Sequence, residues 1–583
     1  MKFIKLSIVL LLSVFVSINV AQNEIDYCIP LHASLMFYKA QRAGKLPDND
    51  VPWREDSVLN DGQQLNIDLS GGYFDAGDYI KFTFPLAYTM TTLGWSYLLF
   101  QDNIANKCHL KDDYLSVLKY GTDWIMNAHY KANNLVTQVD VMSSHYQWNR
   151  PSDVTYPREI FTVDNTQPCT DVAMQSASAL AVASLVFADT NPSYSTQLLN
   201  KAKSLYSLGK ACPLGTMAVP DYSDHGRQGY ESHGYEDELI WASICMYLAT
   251  GRSTTYLSDL TNNLKKLQGR NFANDIWGSM LSWDSKYSAS LLMSLKSLSS
   301  DPNFSQFLNN FQSKSNDIAQ SWINQPNFSN GIVSGIAKWG NNRYAMGGAF
   351  LAAVINTPAS KRWATEQVNC VLGQCPANSK SFVIGYGNNY AQFPHHRAAH
   401  NPLPNPSLSE NYPVATTYKI LGALIGGPSI ENSTYEDARK NYQQNEPAID
   451  YNAAFTGALA ALVSFEHSGG YNGNPSSFQS TTSSTTSTTL QPTSTSTSSQ
   501  STTSSKTSTS SQPTTISTST TSLPTLSSTI TTYQTTNTKT TTSPSTSSKP
   551  ISTPSTTSRL TTNGEEPSED PTIASGFTLK SSI

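Results

Sequence analysis

The sequence predicts one large all-α domain followed by a long disordered tail, on three observations. Between residues 23 and about 465, apolar residues recur at helical spacing in segment after segment, and strand-type alternation is scarce. From about 476 to 562 the chain is almost wholly Ser and Thr with scattered Pro, too poor in apolar side chains to offset the entropy of ordering. Residues 1–21 open with Lys2 and Lys5, run apolar from 6 to 16 and end near small residues, the pattern of a secretory signal peptide. The expected organisation is therefore a signal peptide at 1–21, a helical domain at 22–475, a Ser/Thr-rich stalk at 476–563 and a short tail at 564–583. The product is expected to be secreted and extracellular.

Periodicity places helices at 31–44, 85–100, 114–129, 172–188, 238–251, 283–298, 304–322, 344–355, 361–372, 412–424 and 453–467. The stretch 170–187, rich in Ala and Ser with Val and Leu on several sides, reads as buried all round. The connections between helices are long and hold most of the Gly, Pro, Trp, Tyr, His and Asp, and function usually lives on such loops. A helical toroid with one face built of aromatic loops would suit a polymer lying in an open cleft.

The net charge of -5 is spread over both signs without a basic run. This excludes the electrostatic footprint of a nucleic-acid or acidic-membrane partner and favours a neutral ligand. The seven cysteines, at 28, 108, 169, 212, 245, 370 and 375, form neither a CxxC pair nor a zinc spacing. Cys370 and Cys375 are placed to close a small loop in an oxidising compartment, and the odd count leaves at least one thiol without an intramolecular partner. Sequons stand at Asn303, Asn327 and Asn432.

Three stretches carry chemistry. In Gly71-Gly72-Tyr73-Phe74-Asp75-Ala76-Gly77-Asp78, two carboxylates stand three residues apart among glycines that permit tight turns, so both can point to one side of a loop. Alone, the pair also fits capping of a helix near Pro85 or a calcium ion. The Gly-rich segment 381–397 ends in Pro394-His395-His396-Arg397, a cluster able to grip hydroxyls or orient a carboxylate. In the segment 435–453, Glu446 lies just before a very apolar helix; partial desolvation there would let it hold a proton as a general acid requires, although it would also serve as a helix cap.

Taken in order, Leu59-Asn60-Asp61-Gly62 with the Asp75 to Asp78 loop, the Pro394 to Arg397 segment, and Tyr442-x-x-Asn445-Glu446-x-Ala448-x-Asp450-Tyr451-Asn452-Ala453 resemble glycoside hydrolase family 9, the endoglucanase family, over about 25–465. The resemblance implies an (α/α)6 barrel that hydrolyses internal β-1,4-glucosidic bonds of cellulose or a related glucan with inversion. It implies Asp78 as general base, Asp75 as its partner on the nucleophilic water, and Glu446 as general acid. His395 and Arg397 match substrate-contacting positions, and His395 is grouped with the catalytic set. Asp437 matches a position with an orienting role, and Tyr451 a tyrosine near the centre. Trp339 and Arg343 resemble residues lining the cleft, as do His145 and Trp148. The chemistry requires no cofactor, but His233, Gly234, Asp237, Glu238 and Asp284 resemble a structural calcium site. The expected partner is a β-1,4-glucan polysaccharide bound by a monomer, with no nucleic acid and no membrane.

Four positions depart from the family pattern. Asn149 replaces the second of a tryptophan pair, His233 stands where a serine is common, Ile384 is a mild packing change, and Pro447 follows Glu446. The proline holds the acid's backbone extended and removes one amide donor.

Overall fold

The structure is a computed structural model; it describes residues 25–47, 50–141, 148–218, 229–334, 336–400, 415–431 and 433–463. The expected leader, stalk and tail lie outside the described residues, as do His145 and Asn432.

Twelve long helices are present among the described residues: α1 Cys28–Gln41, α2 Thr83–Gln101, α3 Lys111–Ala128, α4 Thr170–Val186, α5 Pro192–Ala211, α6 Glu236–Ala249, α7 Thr254–Gly269, α8 Tyr287–Leu298, α9 Ser305–Ile323, α10 Asn341–Ile355, α11 Pro358–Val371 and α12 Ile449–Leu462. The even-numbered helices pack on one another in the order α2, α4, α6, α8, α10, α12 and back to α2. Each is backed by an odd-numbered partner: α3 on α2, α5 on α4, α7 on α6, α9 on α8, α11 on α10 and α1 on α12. This is an (α/α)6 barrel.

Side-chain pattern explains which helices go inside. In α12 every residue is buried, and in α4 all but Leu185; both are rich in Ala, which lets neighbours approach on all sides. An outer helix such as α7 buries only Leu260, Asn263, Leu264 and Leu267, the i, i+3, i+4, i+7 stripe of a one-faced helix. Helix α5, absent from the sequence expectation, starts at Asn191, whose side chain accepts from the Tyr194 N–H, with Pro192 in the first turn.

The expected helix at 412–424 does not form over its described part. There Gly422 N donates to Ile384 O, Ile384 N to Ala423 O, and Asn452 takes both Leu424 N and Gly422 O. The backbone is spent on neighbouring segments and cannot make i to i−4 bonds. A small antiparallel sheet was also not foreseen: β1 Lys81–Phe82, β2 Asn134–Val139 and β3 Ile160–Asp164, in that order, with Lys81 opposite Val139 and a register shift between Val136 and Gln138. It leads directly into α2 and fixes the end of the Asp75 to Asp78 loop.

Three disulfides tie the domain: Cys28 to Cys108, Cys169 to Cys212, and Cys370 to Cys375. Cys245 is the free, buried thiol among the described cysteines.

Candidate active site

The segments that carry chemistry lie just before the inner helices: the 71–82 loop before α2, Tyr230 before α6, Trp339 and Arg343 at the start of α10, and Glu446 before α12. Inner helices alternating with outer ones run the same way, so these N-terminal ends gather on one face. The Asp pair does not cap α2, whose start at Phe82 has no side-chain cap, and α12 begins after Ala448 without help from Glu446.

Asp75 and Asp78 are 3% and 4% exposed. Asp75 N donates to Ile80 O at 3.0 Å, and Asp78 Oδ1 accepts from Ile80 N at 3.1 Å, which folds the loop back on itself. Ile449 N donates to Asp75 O at 2.8 Å and ties the loop to the first residue of α12. Tyr230 donates its hydroxyl to Asp75 Oδ2 at 2.5 Å, while Asp75 Oδ1 is buried with no hydrogen-bond partner. Burial pushes the Asp75 carboxyl well above the usual aspartate range; the nearby Asp450, Asp78 and Glu446 push the same way, and the Tyr230 hydroxyl opposes them.

Glu446 reaches this loop from the far end of the chain. Its Oε1 accepts from Gly77 N at 3.2 Å, Arg397 N donates to Gly77 O at 2.9 Å, and His395 N donates to Asn445 O at 3.0 Å. The Asp loop, the Pro394 to Arg397 segment and the Glu446 segment are thus knitted by backbone bonds. A side chain at Gly77 would come within 2.1 Å of His395 O, so the approach requires glycine. The backbone of Glu446 is extended at φ -78°, ψ 132°, as the following Pro447 demands, and in that pose its carboxyl faces the Asp loop.

Around the carboxylates runs an aromatic line. Trp148 lies against His395 at 4.9 Å between ring centroids, His395 against Tyr442 at 5.8 Å, and Tyr442 against Trp339 at 4.8 Å. Trp339 and Tyr442 are 43% and 40% exposed, unusual for such large rings and suited to stacking on a ligand. The Arg397 guanidinium sits 4.7 Å from the Trp148 ring centre, and His395 Nδ1 is hydrogen-bonded to Arg439 O at 2.8 Å.

Asp437 accepts from Gln392 N, Phe393 N and the Lys380 ammonium, and so braces the backbone leading to His395. Arg343 is buried and pairs with Asp450 Oδ2 at 2.9 Å, with its guanidinium against the rings of Tyr344 and Tyr451. Tyr451 in turn packs against Gly340, where a side chain would come within 2.3 Å of its hydroxyl. Tyr230, Tyr442 and Asp450 were not singled out from sequence. The last two stand inside the quoted Tyr442 to Ala453 motif, whereas Tyr230 lies outside every motif.

The calcium candidates fall into two groups. Asp284 accepts from His233 N at 2.8 Å and pairs with His233 Nδ1 at 2.5 Å, whereas Asp237 and Glu238 both hold the Lys286 ammonium. Among the described residues, no three His, Cys, Asp or Glu side chains lie close enough to hold a metal ion. The donors are nevertheless the hard oxygens calcium takes: Glu238 Oε2 is buried with no hydrogen-bond partner, and Asp237 and Glu238 both face the Lys286 ammonium.

A helical barrel whose one face brings two carboxylates against a third, inside an aromatic groove, holds the groups that acid–base hydrolysis needs. The glycosyl hydrolase family 9 model matches residues 27–459, and the chain belongs to that family. It is 39% identical to an endoglucanase of Dictyostelium discoideum over 79% of this chain and 64% of the relative, and 34% identical to Endoglucanase 10 of Arabidopsis thaliana over 75% and 87%. An endoglucanase structure from the termite Nasutitermes takasagoensis superposes with TM-score 0.66 at 35% identity, covering 75% of this chain and 99% of that one. Endoglucanase CelQ from Clostridium thermocellum, complexed with cellobiose and cellotriose, superposes with TM-score 0.61 at 30% identity, over 76% of this chain and 71% of that one. The chain spans about two thirds of the length of the first curated relatives it matches.

Proposed function

We propose that this chain is a secreted endo-β-1,4-glucanase that inverts the anomeric carbon. The observation that carries the reading is the two-sided carboxylate site, in which Glu446 is held by the amide of Gly77, the residue directly before Asp78. Asp78 takes a proton from water as the water oxygen bonds to the anomeric carbon. Asp75 Oδ1, buried and without a partner, is the acceptor that orients that water. Glu446 gives its proton to the departing glycosidic oxygen as its bond to carbon breaks. Inverting pairs stand about 6.5–9.5 Å apart to admit the water. Trp148, His395, Arg397, Tyr442 and Trp339 hold the glucan across the groove, and Tyr451 and Arg343 back it.

NMR of the first-formed anomer from a defined cello-oligosaccharide tests the reading. Initial release of the α-anomer is expected; the β-anomer would mean retention, and equal release by wild type and Glu446→Gln would exclude Glu446 as the acid. The leader at 1–21, the three disulfides and the exposed sequons at Asn303 and Asn327 support secretion, and the enzyme is expected in culture medium rather than cell lysate. A structural calcium would be held by Asp237, Glu238 and Asp284 with backbone oxygens of His233 and Gly234, and would supply positive charge to this corner. A lower melting midpoint after chelation, restored by calcium, is the expected sign, and an unchanged midpoint counts against it.

A further inference from the structure

The loop that carries Asp75 and Asp78 is closed from behind by one buried ammonium. Lys81, with no exposed surface, directs Nζ to Leu69 O at 2.7 Å, Ser70 O at 2.9 Å and Gly71 O at 2.9 Å, and pairs with Asp61 Oδ2 at 2.9 Å. Three consecutive carbonyls at the entry of the loop thus converge on a side chain at its exit, much as oxygen ligands surround a metal cation.

Asp61 links this clamp to a second one. Arg158 Nε lies 3.4 Å from Asp61 Oδ1 and 3.3 Å from Asp140 Oδ2, and its Nη2 donates to Tyr79 O at 2.6 Å and to Val139 O at 3.2 Å. Tyr79 is the residue directly after Asp78. The Trp124 indole also donates to Leu69 O, and Tyr156 donates to Asp140. All four charged groups are buried, and their charges cancel: two cations against two carboxylates. A buried set of this kind holds a single geometry, because any displacement leaves an uncompensated charge in a dry interior.

We infer that Lys81 is a positioning residue for the hydrolytic reaction: with Asp61 and Arg158 it makes 69–81 a closed ring and fixes where Asp75 and Asp78 hold the attacking water. Lys81 is fully buried and so acts through the loop rather than on the substrate. Its effect is on kcat, since a carboxylate displaced by about 1 Å costs on the order of 10²-fold in rate. The aromatic groove that binds glucan is built from other segments, so KM is little affected. The inference rests on the proposed glucanase reading.

The test compares wild type, Lys81→Met and the charge-balanced double variant Lys81→Met with Asp61→Asn on cellopentaose, with circular dichroism and thermal melting alongside. Activity of wild type establishes the glucanase reading on its own; an inactive, folded wild type overturns that reading instead. The expected result is a folded double variant with kcat down by about 10²-fold and KM within about threefold. A kcat within threefold of wild type, or a loss confined to KM, overturns the inference. Failure of both variants to fold also overturns it, in favour of a purely structural role. In a further single variant retaining cooperative melting, Lys81→Ala with Asp61 intact, partial recovery of kcat by ethylammonium but not by sodium supports the clamp, and no recovery counts against it.

Discussion

Gly77 N and Glu446 Oε1 meet at 3.2 Å across 369 residues of sequence. This contact joins the two halves of the site, and the same glycine receives Arg397 N on its carbonyl. Gly77→Ala would drive a methyl group to 2.1 Å from His395 O and 3.1 Å from Glu446 Oε1. Since both neighbours are held in place, kcat should fall by about 10²-fold or more, with a lower melting midpoint. Steady-state kinetics on a soluble cello-oligosaccharide check this.

Tyr230→Phe removes the hydroxyl donated to Asp75 Oδ2 and leaves that oxygen buried and unpaired. The cost of about 1–3 kcal/mol corresponds to a loss of roughly 10- to 10²-fold in kcat. The sign of the pH effect follows. The hydroxyl lowers the Asp75 pKa against burial, so its loss raises that pKa further. On the proposed reading, in which the ionised carboxylate orients water, the acid limb of kcat/KM should move to higher pH in the variant.

Trp339→Ala should act on binding. The ring is exposed and packs only partly on Tyr442, so the fold gains little from it, and on the proposed reading a glucose face gains more. Loss of stacking worth about 0.5–1.5 kcal/mol predicts a rise in KM of roughly 2- to 10-fold with kcat nearly unchanged, and Tyr442→Ala should follow the same pattern.

Arg343→Met strands the buried Asp450 carboxylate. Breaking a buried pair from one side costs about 3–5 kcal/mol, and adding Asp450→Asn should return part of it. Chemical denaturation of wild type, Arg343→Met, Asp450→Asn and the double variant measures the coupling. A glycone-side contact alone would leave stability unchanged.

Burial of Asp171 at the start of α4 raises its pKa to about 7. The folded chain therefore keeps a proton that the unfolded chain loses as pH rises from the ordinary aspartate range. Its contribution to stability is present at low pH and declines until about pH 7. Asp171→Asn should flatten the melting midpoint across that window relative to wild type.

Much of this was legible because it rests on local rules. The Gly71 to Asp78 loop, the Pro394 to Arg397 segment and Glu446 each carry a dense local signal, and the inner helices are uniformly apolar. The outer helices α5 and α7 were missed because a one-faced helix is mostly polar, although Asn191-Pro192 at the start of α5 is a cap signal. The reverse error at 412–424 arose because the side chain of Asn452 and the backbone at Ile384, both distant in sequence, claim its backbone. Tyr230 is a lone tyrosine whose value comes from reaching Asp75, which no spacing reveals. Pro447, a departure in sequence, holds Glu446 in the extended backbone that faces the Asp loop.

The inner ring closes where α12 meets α2, and α1 packs on α12, so the first and last parts of the domain are neighbours. A ribosome delivers these partners at opposite ends of synthesis. Until Glu446 has emerged, the nascent chain has Asp75 and Asp78 without their partner across the site, and its longest-range contacts are unmade. On the proposed reading the chain is thus silent until the domain is nearly complete, and a chain truncated before Glu446 would lack its acid together with the seam that completes its fold.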